Sequence, residues 1–204
     1  MRDLSARREE ILDAATELFA EHGFSDAVTQ ALAERLGVGK GTLYRHFPSK
    51  RDLFLACVDR VMRRLREHVD GLTQAIVDPL DRIAAAVRAF LEFFESHPKC
   101  VELLVQERAL FKDRTRPTYV AHREANAARW LEVYRALLAE GRLCGLPAEG
   151  LTEVVGNLCY GTVFTNYYFA DRQRPAADQA RDIMVVVFQG ILTDPERRCR
   201  GLHD

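Results

Sequence analysis

The chain has 204 residues, 48% of them hydrophobic and 29% charged, enough to build a core in one compact body or two small domains. Its formal net charge of −1 and pI near 6.6 exclude a generally basic nucleic-acid coat protein and confine any nucleic-acid binding to a local patch. Cys57, Cys100, Cys144, Cys159 and Cys199 are scattered without CxxC spacing, so neither a disulfide framework, a metal site nor another cofactor is expected.

The N-terminus, Met-Arg-Asp-Leu-Ser-Ala-Arg-Arg, lacks the apolar core of a signal peptide. The longest mostly apolar stretch, 154–170, carries Asn157 and Asn166 and falls short of the roughly 20 residues a membrane span needs. A cytoplasmic protein with no membrane partner is the expectation.

Every segment reads as helical, and none shows a sustained strand-type alternation, so an all-α fold is expected. A first helix capped by Ser5 carries Ile11, Ala15, Leu18 and Phe19 as one apolar stripe and stops at His22-Gly23. Thr29 opens a second helix with Leu32, Ala33 and Leu36 inward, and Gly37 permits a tight turn after it. Gly39 caps a third, which ends near Phe47 because Pro48 cannot continue it. Ser49 and Asp52 make a capping-box-like start for a fourth, running to about Gly71. Asp78-Pro79 starts a fifth, His97-Pro98 ends it, and a sixth runs to about Phe111. After a polar break from Lys112 to Pro117, a long helix ends near Gly141, and another covers roughly Ala148 to Phe169. A loop from Asp171 to Ala177 leads to a last helix ending near Thr193, and the tail from Pro195 is expected to fray.

The two short helices around Gly37 form a helix-turn-helix, a device for setting side chains into a DNA major groove. Leu43 and Phe47, four residues apart, anchor the third helix inward and leave Lys40, Thr42, Tyr44 and Arg45 near its start or outer face. Lys and Arg can donate to guanine O6 and N7, and Gln30 can bond adenine bidentately. Thr42, Tyr44, His46 and Lys50 suit phosphates, which fix register without reading sequence. Tyr44 and His46 could instead pack within the domain, and Arg7 and Arg8 either steer DNA or form a solvated face. The run Gly37-Val-Gly-Lys-Gly-Thr42 also looks like part of a phosphate-binding loop. Glu34 stands where that loop needs Gly, Gly41 stands where it needs Ser or Thr, and no strand precedes it. With no nucleophile elbow and no clustered Cys and His, no enzyme is expected.

The run Leu32-Ala-x-x-Leu-Gly-Val-x-Lys-Gly-Thr-Leu-Tyr-x-His-Phe-x-Ser-Lys50 resembles the N-terminal domain of the TetR family of one-component transcriptional regulators, over about residues 5–70. The resemblance implies that Gln30, Lys40, Gly41 and Arg45 contact bases and that Thr42, Tyr44 and Lys50 contact phosphates. Thr29 and His46 join the phosphate set by position and chemistry. It also implies a DNA-binding domain over 1–50, a connecting helix and linker over 51–77, an effector-binding and dimerisation domain over 78–193 and a tail over 194–204. The expected action is that of a homodimeric repressor, released from a near-palindromic double-stranded operator by a small-molecule effector. Gly39 departs from the Ser or Thr that many relatives carry, and Val28 precedes the Thr29 at the second helix start.

The segments Val154–Phe169 and Ile183–Leu192 are apolar on nearly every side, so each must bury more than one face. A two-fold four-helix bundle from two protomers meets that need, with Val155, Cys159, Val163, Val187 and Ile191 at the interface; a thick monomeric core is the alternative. On the preceding helices Arg108, Arg123 and Asn126 sit within apolar arcs, so they either pair internally or meet a ligand. With Phe90, Phe94, Trp130, Tyr134 and Phe164 as walls, they outline a pocket for an amphipathic or anionic effector.

Overall fold

A computed structural model of the chain describes residues 4–169 and 174–200, with side chains from Ala6 onward. Among these residues the fold is all-α. The helices are α1 (Leu4–Asp26), α2 (Thr29–Arg35), α3 (Lys40–His46), α4 (Lys50–Thr73), α5 (Pro79–Ser96), α6 (Pro98–Leu110), α7 (Thr118–Ala139), α8 (Ala148–Tyr168), α9 (Ala176–Ile191) and α10 (Asp194–Cys199). An isolated bridge joins Leu143 and Leu192. No described helix is long and apolar enough to cross a membrane.

The chain divides into two compact units: Met1–Arg64 with His97–His122, and Leu65–Ser96 with Arg123–Asp204. The breaks fall inside α4, between α5 and α6, and inside α7, whereas the sequence suggested boundaries after residues 50 and 77. Helix α6 and the first turn of α7 belong with the helix-turn-helix.

The chemistry of the first unit explains that membership. Gly23, at φ +71, interrupts α1 and leaves backbone groups on either side without helical partners. Gln106 of α6 satisfies them: its Nε2 donates to the Phe19 carbonyl at 3.0 Å, and its Oε1 accepts the Phe24 N–H at 2.9 Å. Phe24 then stacks edge-on against Phe54 and Phe111, with centroids 5.4 and 5.0 Å away, and Phe19 meets Phe54 at 5.1 Å. Lys99 bonds Glu17 and Glu21 of α1. Arg60 of α4, though buried, donates to Glu9 at 2.5 Å and Asp13 at 2.7 Å, which is the pairing a buried cation needs. Glu107, 1% exposed, accepts the Thr118 N–H at 2.8 Å, the Thr118 hydroxyl at 2.7 Å and Arg114 at 2.5 Å, which fixes the turn from α6 into α7.

In the second unit, α5 buries Leu80, Ile83, Val87, Leu91 and Phe94 at helical spacing and packs against α8 and α9. The expected start at Asp78 is realised, because its Oδ1 accepts the N–H groups of Leu80 and Asp81. The frayed tail is not. From Asp194 the chain forms α10, held by a network in which Arg142 bonds Asp78 (2.8 Å) and Glu196 (3.0 Å), while Arg200 bonds Asp78, Asp81 and Glu196, each at 2.8 Å. The sequence shows these five charges far apart along the chain, which hides their convergence. Residues 201–204 of the tail, and 171–173 of the loop expected after α8, lie outside the described residues.

This network has a pH signature. Partial burial favours the neutral Asp78 carboxyl, but the Arg142 guanidinium and the N–H groups of Asp81 and Leu80 outweigh it and bring its pKa to about 2. A depressed folded pKa stabilises above the ordinary 3.8 and loses that contribution as the pH falls through about 2. Asp78→Asn, which keeps an amide oxygen for the cap, is expected to be less stable than the parent at neutral pH. The gap should close near pH 2. Urea titrations of both proteins across that range check this; a constant gap would detach the carboxylate's charge from the stability of the fold.

Candidate nucleic-acid interface and ligand cavity

In the first unit, α2 and α3 meet through Gly37, whose φ of +63 makes the turn. Leu32, Ala33, Leu43 and Phe47 are buried and set the angle of α3. That leaves Gln30, Lys40, Gly41 and Arg45 exposed, and Thr42, Tyr44 and His46 partly exposed. Nothing lies within 4 Å of where a Cβ on Gly41 would stand, so its backbone is open to an approaching groove.

Several side chains expected at phosphates also have internal work. Thr29 is 7% exposed, and its hydroxyl shares a 3.0 Å hydrogen bond with the Tyr44 hydroxyl. Its side chain is therefore better placed to brace α3 than to meet a phosphate. Lys50 donates to the Ser25 carbonyl at 3.0 Å and lies over the Phe24 ring. Gln30 donates to Glu34 at 2.8 Å, a contact it must exchange to read a base. His46 lies beside Phe47, with centroids 6.5 Å apart. Arg7 and Arg8 also have partners within the domain, although the Arg8 side chain is 43% exposed. Arg7 donates to the Leu36 carbonyl at 2.8 Å and Arg8 lies over the Phe47 ring, so both fasten α1 to the helix-turn-helix.

The second unit holds a cavity of about 130 Å³ between α4, α5, α7 and α8. Phe90, Arg123, Asn126, Trp130 and Tyr134 line it. Phe94 does not; it is buried behind Phe90, with ring centroids 5.3 Å apart. Phe164 is also absent from the wall, and Arg108 is exposed in the first unit. Val155 and Cys159, expected at a subunit interface, face this cavity instead. Val163, Val187 and Ile191 are buried within the single chain. The large apolar residues that α8 and α9 turn outward include Val154, Leu158, Tyr168, Val185 and Val186. The error has a simple origin. Adjacent helical residues point about 100° apart, and a helix that is apolar all round offers no polar face from which to phase them.

Sequence reasoning also missed Arg66, Arg129, Gly156 and Tyr160 in the wall. Arg129 and Arg66 share Asp70, at 2.6 and 3.6 Å. Arg123 donates to the Asn157 amide oxygen at 2.6 Å and lies over the Tyr160 ring. Burial pushes the Cys159 thiol up to about 12 and the Tyr134 phenol above its ordinary value, so both remain neutral. Among the described residues no group of His, Cys, Asp and Glu is placed to hold a metal ion.

Residues 11–57, which span the helix-turn-helix, match the family model of bacterial regulatory proteins of the tetR family. Residues 11–57 of the chain therefore form a tetR-family DNA-binding domain. Among similar proteins, the transcriptional activator FasR of Mycolicibacterium smegmatis is 38% identical over 103 residues, 49% of this chain and 46% of that protein. The transcriptional repressor KstR2 of Mycobacterium tuberculosis is 28% identical over 68% of this chain and 70% of its own. The chain spans about half the length of most curated relatives it matches. The solved structure of KstR2 superposes with a TM-score of 0.65 at 22% identity, covering 92% of this chain and 96% of that one. FadR of Bacillus subtilis, solved in complex with stearoyl-CoA, gives 0.75 at 15% identity, covering 89% and 98%. These likenesses show that the all-helical fold of those structures extends along nearly the whole chain.

Proposed function

We propose that this chain is a DNA-binding transcriptional regulator, not an enzyme. It acts as a homodimer on a near-palindromic operator and is released by a small molecule held in the cavity of the second unit. The observation that carries the reading is α3, a short helix anchored by buried Leu43 and braced through Tyr44 and Thr29, with Lys40, Gly41 and Arg45 presented outward. We assign it repression, the activity of KstR2, the relative matched over the larger share of its length.

The exposed Val154 and Leu158 of α8 and Val185 and Val186 of α9 support the dimer, because large apolar side chains turned outward mark an interaction site when they gather in a patch. Two recognition helices related by a two-fold axis then meet two half-sites, with spacing set by the helical repeat of DNA. The cavity supports an effector, being mostly apolar with a few convergent polar groups.

Fluorescence anisotropy with the gene's own upstream DNA, beside a scrambled duplex and across a salt series, tests the regulator. The native duplex is expected to bind preferentially, with affinity falling steeply as salt rises. Arg45→Ala is expected to cost about 1–3 kcal/mol on the native duplex and to relax preference at one base position. Equal, weak binding of both duplexes, unchanged by Arg45→Ala, would overturn the reading. A promoter fusion measured with and without the protein gives the sign of regulation.

A further inference from the structure

We propose that the cavity takes a small aromatic monocarboxylate, its ring among the apolar walls and its carboxylate on Arg123; this rests on the reading of the cavity as the effector site. Charge is the first argument. Arg66, Arg123 and Arg129 line the cavity and no carboxylate does. Asp70 bonds Arg66 and Arg129, which reduces the local sum from +3 to +2. Arg123 has no such partner. Its hydrogen bonds go to the neutral Asn157 amide and, at 3.4 Å, to the Glu153 carbonyl. It is the wall's cation whose charge no acid answers, among the described residues. A planar guanidinium matches a carboxylate in a two-bond fork. A dianion such as a phosphate monoester would need a second unpaired cation, and Asp70 already engages the other two.

A glycine preserves that position. A Cβ on Gly156 would stand 3.1 Å from Nη2 of Arg123, so the guanidinium lies flat against α8 because residue 156 has no side chain. Size is the third argument. The cavity holds about 130 Å³. An apolar protein cavity of about 150 Å³ accepts benzene. One ring fits that volume. Phe90, Trp130, Tyr134 and Tyr160 give that ring aromatic neighbours.

Trp130 is the chain's single tryptophan and lies in the cavity wall, so intrinsic fluorescence reports occupancy directly. The full-length protein would be titrated with phenylacetate, with neutral phenylacetamide, with benzyl phosphate and with decanoate. Phenylacetate is expected to change Trp130 emission saturably and to bind at least about tenfold more tightly than the amide, the benefit of a charge-assisted pair. Arg123→Met should abolish that preference while leaving amide binding, which also shows that the variant folds. Gly156→Ala should reduce the preference by displacing the guanidinium.

Equal affinity for acid and amide, tighter binding of benzyl phosphate or decanoate, or a preference that survives Arg123→Met would each overturn the assignment. Operator anisotropy on the same samples separates this from the regulator reading. If a neutral or larger ligand releases operator DNA while phenylacetate leaves Trp130 unchanged, the ligand class is wrong and the regulator stands. If no duplex is preferred under any condition, the regulator reading fails first.

Discussion

Val186→Glu is expected to leave the protein monomeric and to weaken binding to a palindromic operator by about a hundredfold or more, the advantage that linking two binding modules supplies. Val186 is 69% exposed in the single chain, next to exposed Val185 on α9, and α8 also turns Val154 and Leu158 outward. Because the side chain points outward, a carboxylate there leaves the protomer's own core intact. At a two-fold interface, however, the same surface patch meets its copy. The substitution would bury two carboxylates with no cation opposite them, and a buried unpaired charge is among the costliest things an interface can hold. Sedimentation equilibrium gives the mass, and anisotropy with one half-site and with two gives the affinity. A variant that stays dimeric with unchanged operator affinity would place the subunit contact elsewhere. A variant that is monomeric but binds two half-sites as tightly as the parent would separate dimerisation from DNA reading.

Phe54→Ala is expected to remove about 3–5 kcal/mol of stability, the usual loss when a fully buried phenylalanine is truncated. Phe54 is 0% exposed and touches three other rings: Phe19 and Phe24 from α1, and Phe111 after α6. Those contacts come from segments far apart in sequence, so a void there cannot be closed by one neighbour relaxing. Against a total of about 5–15 kcal/mol for a typical domain, the loss leaves the helix-turn-helix marginal. Urea unfolding followed by circular dichroism measures it. A loss below about 1 kcal/mol would mean that the cluster repacks and that the ring contacts are replaceable.

What the sequence revealed and what it concealed divide along one physical line. Local signals survive translation into three dimensions. Gly37, Pro48, Asp78 and the Pro98 start act within a turn of where they stand, so the order of the helices and most of their ends were readable from residue types. The helix-turn-helix, built from contacts between near neighbours, was readable too. Long-range placement was not. Nothing near Gln106 announces that it will complete the backbone around Gly23, and nothing near Pro195 announces that Arg200 will reach Asp78. In the cavity, a Val next to a Val gives no clue which one faces inward, and that is why Val155, expected at the subunit interface, lines the cavity while Val154 is exposed. Arg123 could be flagged because a cation among apolar neighbours demands a reason. Gly156 could not, because its contribution is the room it leaves.

The membership of α6 in the first unit bears on how such chains can be recombined. A graft that joins this DNA-reading segment to a foreign sensor at residue 77 would carry Phe19, Phe24 and Phe54 across without Phe111, and the Gly23 interruption without Gln106. Such a hybrid would inherit a wound on its own surface. The exchangeable piece is discontinuous, residues 1–64 together with 97–122, and a new sensor has to enter as two inserts threaded around α6. For this architecture, changing what is sensed while keeping what is read is an editing problem at two seams rather than a cut at one.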